Sequence, residues 1–274
     1  MEVEKLKKLQ DLEFDILKQF ILICDQYNLN YSLAYGTLIG AVRHKGFIPW
    51  DDDIDVAMPR NDYDRLCKIM KSQPIEGYFF QNFVTEPQCG LIFSKIRKDH
   101  TVLSEIYSHH INMHQGVWID IFPYDNISDN KFKRKLDFLS FLVWKNMYII
   151  KCNYKMPPNR SKVGYVFYYV VKFFDLFFSR NFLIHRIEKI MTKYNNQTTQ
   201  YVFSYADNDI EGKKLSANLF KNYCILDFED LKVKAFKEYD SYLRKNYSDY
   251  MVLPPENERE NGGGHFIKEF NPNL

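Results

Sequence analysis

The stretch that most constrains this chain runs from Tyr31 to Pro59, YSLAYGTLIGAVRHKGFIPWDDDIDVAMP. It reads as a strand ending at Gly36-Thr37, a short helical run from Leu38 to His44, and four aspartates leading into Val-Ala-Met. The aspartates are Asp51, Asp52, Asp53 and Asp55. Asp53 and Asp55 are two positions apart, so a strand sends both side chains to one face and Ile54 and Val56 to the other. Two carboxylates on one face repel each other unless a cation stands between them. A hard divalent ion such as Mg²⁺ suits that role, because it takes one or two carboxylates together with substrate phosphates. One face of the strand thus reads as metal-facing and the other as core-facing.

Gly36 and Thr37 add a second element. A glycine at a strand-to-helix turn lets the backbone approach a ligand closely. The N–H groups of the following turn then point at an anion, and the helix dipole favours negative charge there. A phosphate cradle followed by paired aspartates is a layout for phosphoryl transfer. For Asp-x-Asp alone, a solvated acidic loop is the plain alternative. An EF-hand does not fit, because Val56 stands where that loop requires its sharp-turn glycine.

At this point a resemblance becomes specific. Tyr35–His44 and Ile48–Asp55, then Gly116–Asp125 (GVWIDIFPYD) and Tyr247–Arg259 (YSDYMVLPPENER), resemble the ordered signature blocks of the LicD family. That family lies within the nucleotidyltransferase-like fold. Its members move phosphocholine or a related phosphoalditol from a CDP-activated donor to a sugar. The resemblance therefore implies an α+β fold, with a nucleotidyltransferase-like mixed sheet and helices in residues 1–125. Residues 126–274 form a mainly helical part that completes the same domain.

The implied reaction is in-line attack of a sugar hydroxyl on phosphorus, with CMP leaving and Mg²⁺ or Mn²⁺ as cofactor. The implied partners are CDP-choline or another CDP-alcohol and a glycan or lipid-linked glycan acceptor, such as a lipopolysaccharide, teichoic acid or capsule. Such chemistry asks a protein mainly for positioning and charge neutralisation. Asp53 and Asp55 are then the first metal ligands and catalytic residues, and the fold adds a third carboxylate, for which Asp120 fits. Asp120 lies between Ile119 and Ile121, and a carboxylate in a buried strand costs several kcal/mol unless it is paired or binds metal. Asp125 is a candidate for a supporting or acceptor-side role, while Asp51 and Asp52 read either as further ligands or as loop caps.

Gly36, Thr37 and Arg43 are expected to hold the donor diphosphate, since guanidinium matches phosphate geometry. Lys95 and Arg97 alternate on one strand face and suit the same task. Trp50, Trp118 and Tyr124 adjoin the blocks and offer rings for a quaternary ammonium, or simply pack. His265 follows the third block and is placed near substrate. His109, His110 and His114 lack the spacing of a zinc helix and read as loop residues. Two departures concern the C-terminal contacts. Ser248 stands where the family more often has glycine, and Asn261–Gly264 separates Arg259 from His265.

Composition narrows the alternatives. The chain has 274 residues, a net charge of +2 and 46% hydrophobic residues, which indicates a folded globular protein and gives no reason to invoke nucleic acid. The five cysteines form no C-x-x-C pair, which argues against a zinc site or a disulfide framework. The N-terminal MEVEKLKKLQ lacks the apolar core of a signal peptide, and no run is long enough to span a bilayer. A cytoplasmic enzyme is expected, with peripheral contact at the inner face of the membrane as a further expectation.

Periodicity predicts an amphipathic helix over Glu4–Tyr27 and a helix from Asn61, as N-cap, through Lys71. Strands are expected over Tyr78–Phe83, Leu91–Arg97, Thr101–Ile106 and Gly116–Phe122, with Pro123 as a stop. Lys131 to Arg180 reads as long helices broken at Met156-Pro157-Pro158, carrying eleven basic residues against two acidic ones. Within it, Tyr165–Phe178 reads either as a core helix or as an interfacial one. A last strand over Lys221–Asp230 and a last helix over Leu231–Asn246 complete the expectation. The competing functions are a true nucleotidyltransferase that releases pyrophosphate and a non-enzymatic membrane-surface binding protein.

Overall fold

A computed structural model describes residues 2–155, 168–169, 171–173, 177–259 and 267–273. Helix α1 (Val3–Gln26) precedes strand β1 (Ser32–Leu33), and a short helix α2 (Tyr35–Ile39) continues as a π-helical turn over Gly40–His44. Strand β2 (Asp55–Pro59) leads directly into α3 (Arg60–Ser72). Strands β3 (Tyr78–Gln81), β4 (Ser94–Lys98), β5 (Val102–Glu105) and β6 (Trp118–Ile127) follow. The second half contributes α4 (Lys131–Lys151), α5 (Arg180–Met191), β7 (Tyr201–Phe203), α6 (Ile210–Lys213) and β8 (Leu215–Ser216). It ends with β9 (Tyr223–Phe228), β10 (Leu231–Phe236), α7 (Tyr239–Tyr247) and β11 (Ile267–Asn271).

The fold is α+β, built on a seven-stranded mixed sheet. Its main path runs β1-β2-β6-β4-β3, with β7 and β8 attached at the far end of β6. Among the described strands only β2 and β6 pair in parallel, with Asp55 opposite Asp120. A hairpin of β9 and β10 and a pair of β11 with β5 lie outside the sheet. Helix α1 buries Leu9, Ile16, Leu17, Phe20 and Cys24, the face its spacing predicts, in the core that also takes in the sheet and the hairpin. A second core joins Phe138, Phe141 and Tyr148 of α4 to Leu183 and Ile187 of α5 and Phe203 of β7. All five cysteines are free thiols.

Several boundaries depart from the sequence expectation for identifiable reasons. The first strand is only Ser32–Leu33, and the helix begins at Tyr35. The sharp turn between them falls on Tyr35, with φ +46, instead of on Gly36. That left-handed backbone is held by tertiary contacts. The Tyr35 N–H donates to the Tyr242 hydroxyl (3.2 Å), and the Tyr35 hydroxyl donates to Asp207 (2.9 Å). Helix α3 starts at Arg60, with Pro59 in the cap position expected for Asn61.

Pro123 does not stop β6 but sits inside it. The Asp120 N–H donates to Ile54 on the β2 side, so alternation turns the nitrogen of residue 123 toward the other edge. There β4 pairs only as far as Ile121 and β7 begins at Asp125, so the missing N–H of Pro123 falls in the gap between two partners. Leu231–Phe236 is a strand and not the start of a helix. Its apolar residues alternate, with Val233 and Ala235 buried, and Glu229 (φ +52) turns the chain back from β9. The Met156-Pro157-Pro158 break, half of Tyr165–Phe178, Asn261–Gly264 and His265 lie outside the described residues.

Candidate active site

The start of β2 is fixed from both sides. The Asp55 N–H donates to Thr37 Oγ1 (2.9 Å), and the Asp55 carbonyl accepts from the Ala34 N–H (2.9 Å). The helix carrying Gly36 and Thr37 is thereby tied to the strand carrying the aspartates. Pairing then continues the row across the sheet, Asp55 on β2, Asp120 on β6, Lys95 on β4 and Gln81 on β3. In-register neighbours share a face, so this row brings two carboxylates and an ammonium together in a buried setting. Lys95 Nζ lies 2.9 Å from Asp120 Oδ1 and 3.8 Å from the Trp118 ring centroid.

Beside this row opens a cavity of about 850 Å³. One wall is formed by Tyr35, Gly36, Arg43, Trp50, Asp51, Asp53 and Asp55, and the other by Tyr247–Tyr250 and Val252–Pro255. Segments some two hundred positions apart in the chain thus face each other across one space. Arg43 ties the walls, donating from Nη1 to the Tyr250 carbonyl (2.6 Å) and from Nε to His44 (2.9 Å). Burial, reinforced by Arg259 and opposed by Asp51, draws the Arg43 pKa below its ordinary value. Tyr247 is pushed well above the phenol range, by burial first and then by Tyr242 and the three aspartates Asp55, Asp51 and Asp53.

The carboxylates suit a hard cation. Asp51, Asp52 and Asp53 can each place an oxygen within 4.8 Å of the others, and all three are buried, as is Asp55. An all-oxygen set of this kind fits Mg²⁺, Mn²⁺ or Ca²⁺ and not a soft metal. Asp51, Asp53 and Asp55 line the cavity, whereas Asp52 and Asp120 do not.

Residues 28–141 match the family model described as LicD/FKTN/FKRP, nucleotidyltransferase domain. The match spans somewhat under half of the chain. It is 28% identical over 270 residues to the lipopolysaccharide cholinephosphotransferase LicD of Haemophilus influenzae, covering 96% of this chain and 97% of that protein. An uncharacterized protein of Rickettsia prowazekii is 35% identical over 65 residues, or 24% of each chain. One of Rickettsia typhi is 31% identical over 77 residues, or 28% of this chain and 25% of that one. The LicD model contains the first wall of the cavity and the Asp120 strand. The second wall lies beyond it, within the reach of the near full-length alignment.

Other residues singled out from the sequence are placed as follows. Lys95 and Arg97 are 2% and 1% exposed and do not line the cavity. Arg97 donates to Gln81 Oε1 (2.6 Å) and to the Gly116 carbonyl (2.7 Å), with its guanidinium over Trp118. Asp125 lies five residues beyond Asp120, on the opposite face of β6. It accepts two bonds from Arg60 (2.7 and 2.6 Å) and one from Asn195 (2.6 Å), locking α3 to the sheet. Of the three candidate rings, Trp50 faces the cavity, while Trp118 and Tyr124 are buried outside its lining. His114 bonds Asp99 and stacks on Phe79, and His110 reaches the Asn153 carbonyl.

Tyr35, Tyr247 and Tyr250 are not marked as individual residues by local sequence. Together with Trp50 they give the cavity four rings. Their signal was present, since each lies in a signature block next to an acidic or glycine position. What could not be read was that the two blocks close on each other.

Proposed function

We propose that this protein transfers phosphocholine, or a closely related phospho-alcohol, from a CDP-activated donor to a sugar hydroxyl of a lipid-linked cell-surface glycan, releasing CMP. The observation that carries the reading is the cavity itself. Its acidic edge is Asp51, Asp53 and Asp55, and its opposite side offers Tyr247 and Tyr250, with Tyr35 and Trp50 nearby. Carboxylates with a divalent ion suit a diphosphate, and several aromatic rings suit a quaternary ammonium. The name of the Haemophilus influenzae relative supports phosphocholine as cargo and lipopolysaccharide as acceptor.

Asp55 at the start of β2, with Asp51 and Asp53 from the preceding loop, are the residues that would hold Mg²⁺ or Mn²⁺. When bound, the ion neutralises diphosphate charge and activates the leaving group. The protein's own residues do the rest. Thr37 fixes Asp55 through its backbone. Arg43, whose Nη2 stands outside the bonds described above, offers a guanidinium N–H to a phosphate oxygen. The aromatic rings, of which Tyr250 is buried and Tyr35 and Trp50 are partly so, limit the water that would otherwise compete with the sugar hydroxyl. The hydroxyl oxygen forms a new bond to the phosphorus bearing choline, the bond to CMP breaks, and the hydroxyl proton passes to a carboxylate of the acidic edge. Asp120 stays paired with Lys95 and supports the Asp55 row from the neighbouring strand.

The test is product analysis. Pure protein is incubated with CDP-choline, CDP-ethanolamine or a CDP-alditol, with Mg²⁺ and a lipopolysaccharide acceptor. CMP should form with CDP-choline and require the acceptor for sustained turnover. Pyrophosphate from CTP, with no CMP from any CDP-alcohol, would replace this reading with that of a true nucleotidyltransferase. A lipid-linked acceptor also implies work at a membrane surface, although no described helix is long and apolar enough to cross a bilayer.

A further inference from the structure

Helix α4 is apolar on two opposite faces. Phe138, Phe141 and Tyr148 are buried in the second core. On the other side Phe132, Leu136, Leu139 and Val143 are 71%, 51%, 59% and 41% exposed. Their spacings of four, three and four residues place them within roughly 60° of arc at about 100° per residue. A helix needed only for folding would present polar residues there. A continuous exposed apolar stripe marks a surface that something covers.

Charge identifies what covers it. Lys131, Lys133 and Lys135 are exposed at the same end of the helix and flank the stripe on both sides. The helix holds Lys131, Lys133, Arg134, Lys135, Lys145 and Lys151 against the single acid Asp137, in a chain whose net charge is only +2. Asp137 is itself engaged, accepting from Lys193 (2.7 Å) and Tyr194 (2.8 Å). Arg134 is turned inward to Glu211 and the Ser128 carbonyl. The exposed charge beside the stripe is therefore positive.

A second copy docking through the same face would bring like charges together. The cores of protein–protein interfaces are depleted in lysine. Lysines rimming an apolar helical stripe are instead the pattern of a helix lying in the headgroup layer of an anionic bilayer. We propose that this face of α4 is the docking surface for an anionic lipid bilayer, with the stripe entering the acyl boundary and the lysines meeting lipid phosphates.

The proposal does not rest on the catalytic reading, and its test uses no donor or acceptor. The full-length protein is floated with vesicles of phosphatidylglycerol and phosphatidylcholine, and with vesicles of phosphatidylcholine alone. It should bind the anionic vesicles at low salt and release them as the screening length falls from about 10 Å at 0.1 M to about 3 Å at 1 M. Lys131→Gln, Lys133→Gln and Lys135→Gln should each weaken binding roughly fivefold. The double variant Leu136→Ser/Leu139→Ser should weaken it at least about tenfold. Both leucines are exposed, so the thermal midpoint should hold, which separates lost docking from lost folding. No binding to anionic vesicles at low salt, or equal binding by the leucine variant, overturns the proposal. So does self-association of the wild type that the leucine variant abolishes.

Discussion

Gly36 lies against the carboxylate of Asp51, so closely that a β-carbon added to Gly36 would stand 2.7 Å from Asp51 Oδ2. The Gly36 backbone is not left-handed, so alanine is tolerated there locally. Its methyl group would have to push the Asp51 carboxylate aside. Gly36→Ala should therefore cut CMP release by about tenfold to a hundredfold. The thermal midpoint should move little. Full activity in this variant would show that the position of Asp51 does not matter to the reaction.

The carboxylates should separate by what each one touches. Asp53→Asn and Asp55→Asn keep shape and remove charge from the cavity, so each should lower turnover by about a hundredfold to a thousandfold. Their stability without metal should hold or rise, because repulsion is relieved. Asp52→Asn, outside the lining, should do much less. Asp120→Asn differs, because it leaves the buried Lys95 ammonium without its counter-charge and should cost about 3 kcal/mol or more in stability. Chelator should abolish turnover of the wild type, and Mg²⁺ or Mn²⁺ should restore it. Turnover that persists in EDTA rules out the role given to the aspartates.

Ser248 occupies a backbone conformation that suits glycine, with φ +55 and ψ −118. This is the position where the sequence departs from the family's usual glycine, and it lines the cavity. Ser248→Gly should relieve the strain and raise stability by about 1 kcal/mol. Chemical denaturation of the two proteins side by side gives the measurement. A loss of stability would mean that the serine hydroxyl contributes more than the backbone costs.

The second core carries a pH-sensitive tie. Paired bonds from Arg134 (3.0 Å each), helped by Lys214, lower the Glu211 pKa from its ordinary 4.5 to about 2. A depressed carboxyl contributes stability that is fully present above its unfolded value and is lost as pH falls through the folded one. Glu211→Gln should thus destabilise the protein by about 1–3 kcal/mol near neutral pH. The gap between variant and wild type should close between pH 4.5 and about 2. Thermal midpoints across that range test it, and a gap that stays constant with pH contradicts the ionic account.

Much of this was legible in local sequence. The α1 stripe and the strand around Asp120 follow from periods of 3.6 and 2, whereas β2 begins only at Asp55 and leaves Asp53 in the preceding loop, where the strand alternation expected of the pair does not apply. Other features depend on partners far along the chain. Tyr35 takes a left-handed φ only because Tyr242 and Asp207 hold it, so the strand before it could not be given the right length from local residues. Pro123 reads as a stop until β4 and β7 are seen to leave a gap beside it. Lys95 and Arg97 read as free cations on a strand face, and only the pairing of β4 with β6 turns them toward Asp120, Trp118 and Gly116. The same holds for Asp125, whose partner Arg60 is supplied by a neighbouring helix.

The two-walled cavity also has a consequence for synthesis. A chain that has emerged from the ribosome only as far as β6 already contains every aspartate of the acidic edge, yet it lacks Tyr247–Pro255. Domains form from the N-terminus as they are made, so such an intermediate could gather a divalent ion without yet having the wall that excludes water. The two-walled space arises only when Tyr247–Pro255 docks. The donor thus meets a complete site only once Tyr247–Pro255 is in place, and a product terminated before that segment would lack one of the two walls that hold it.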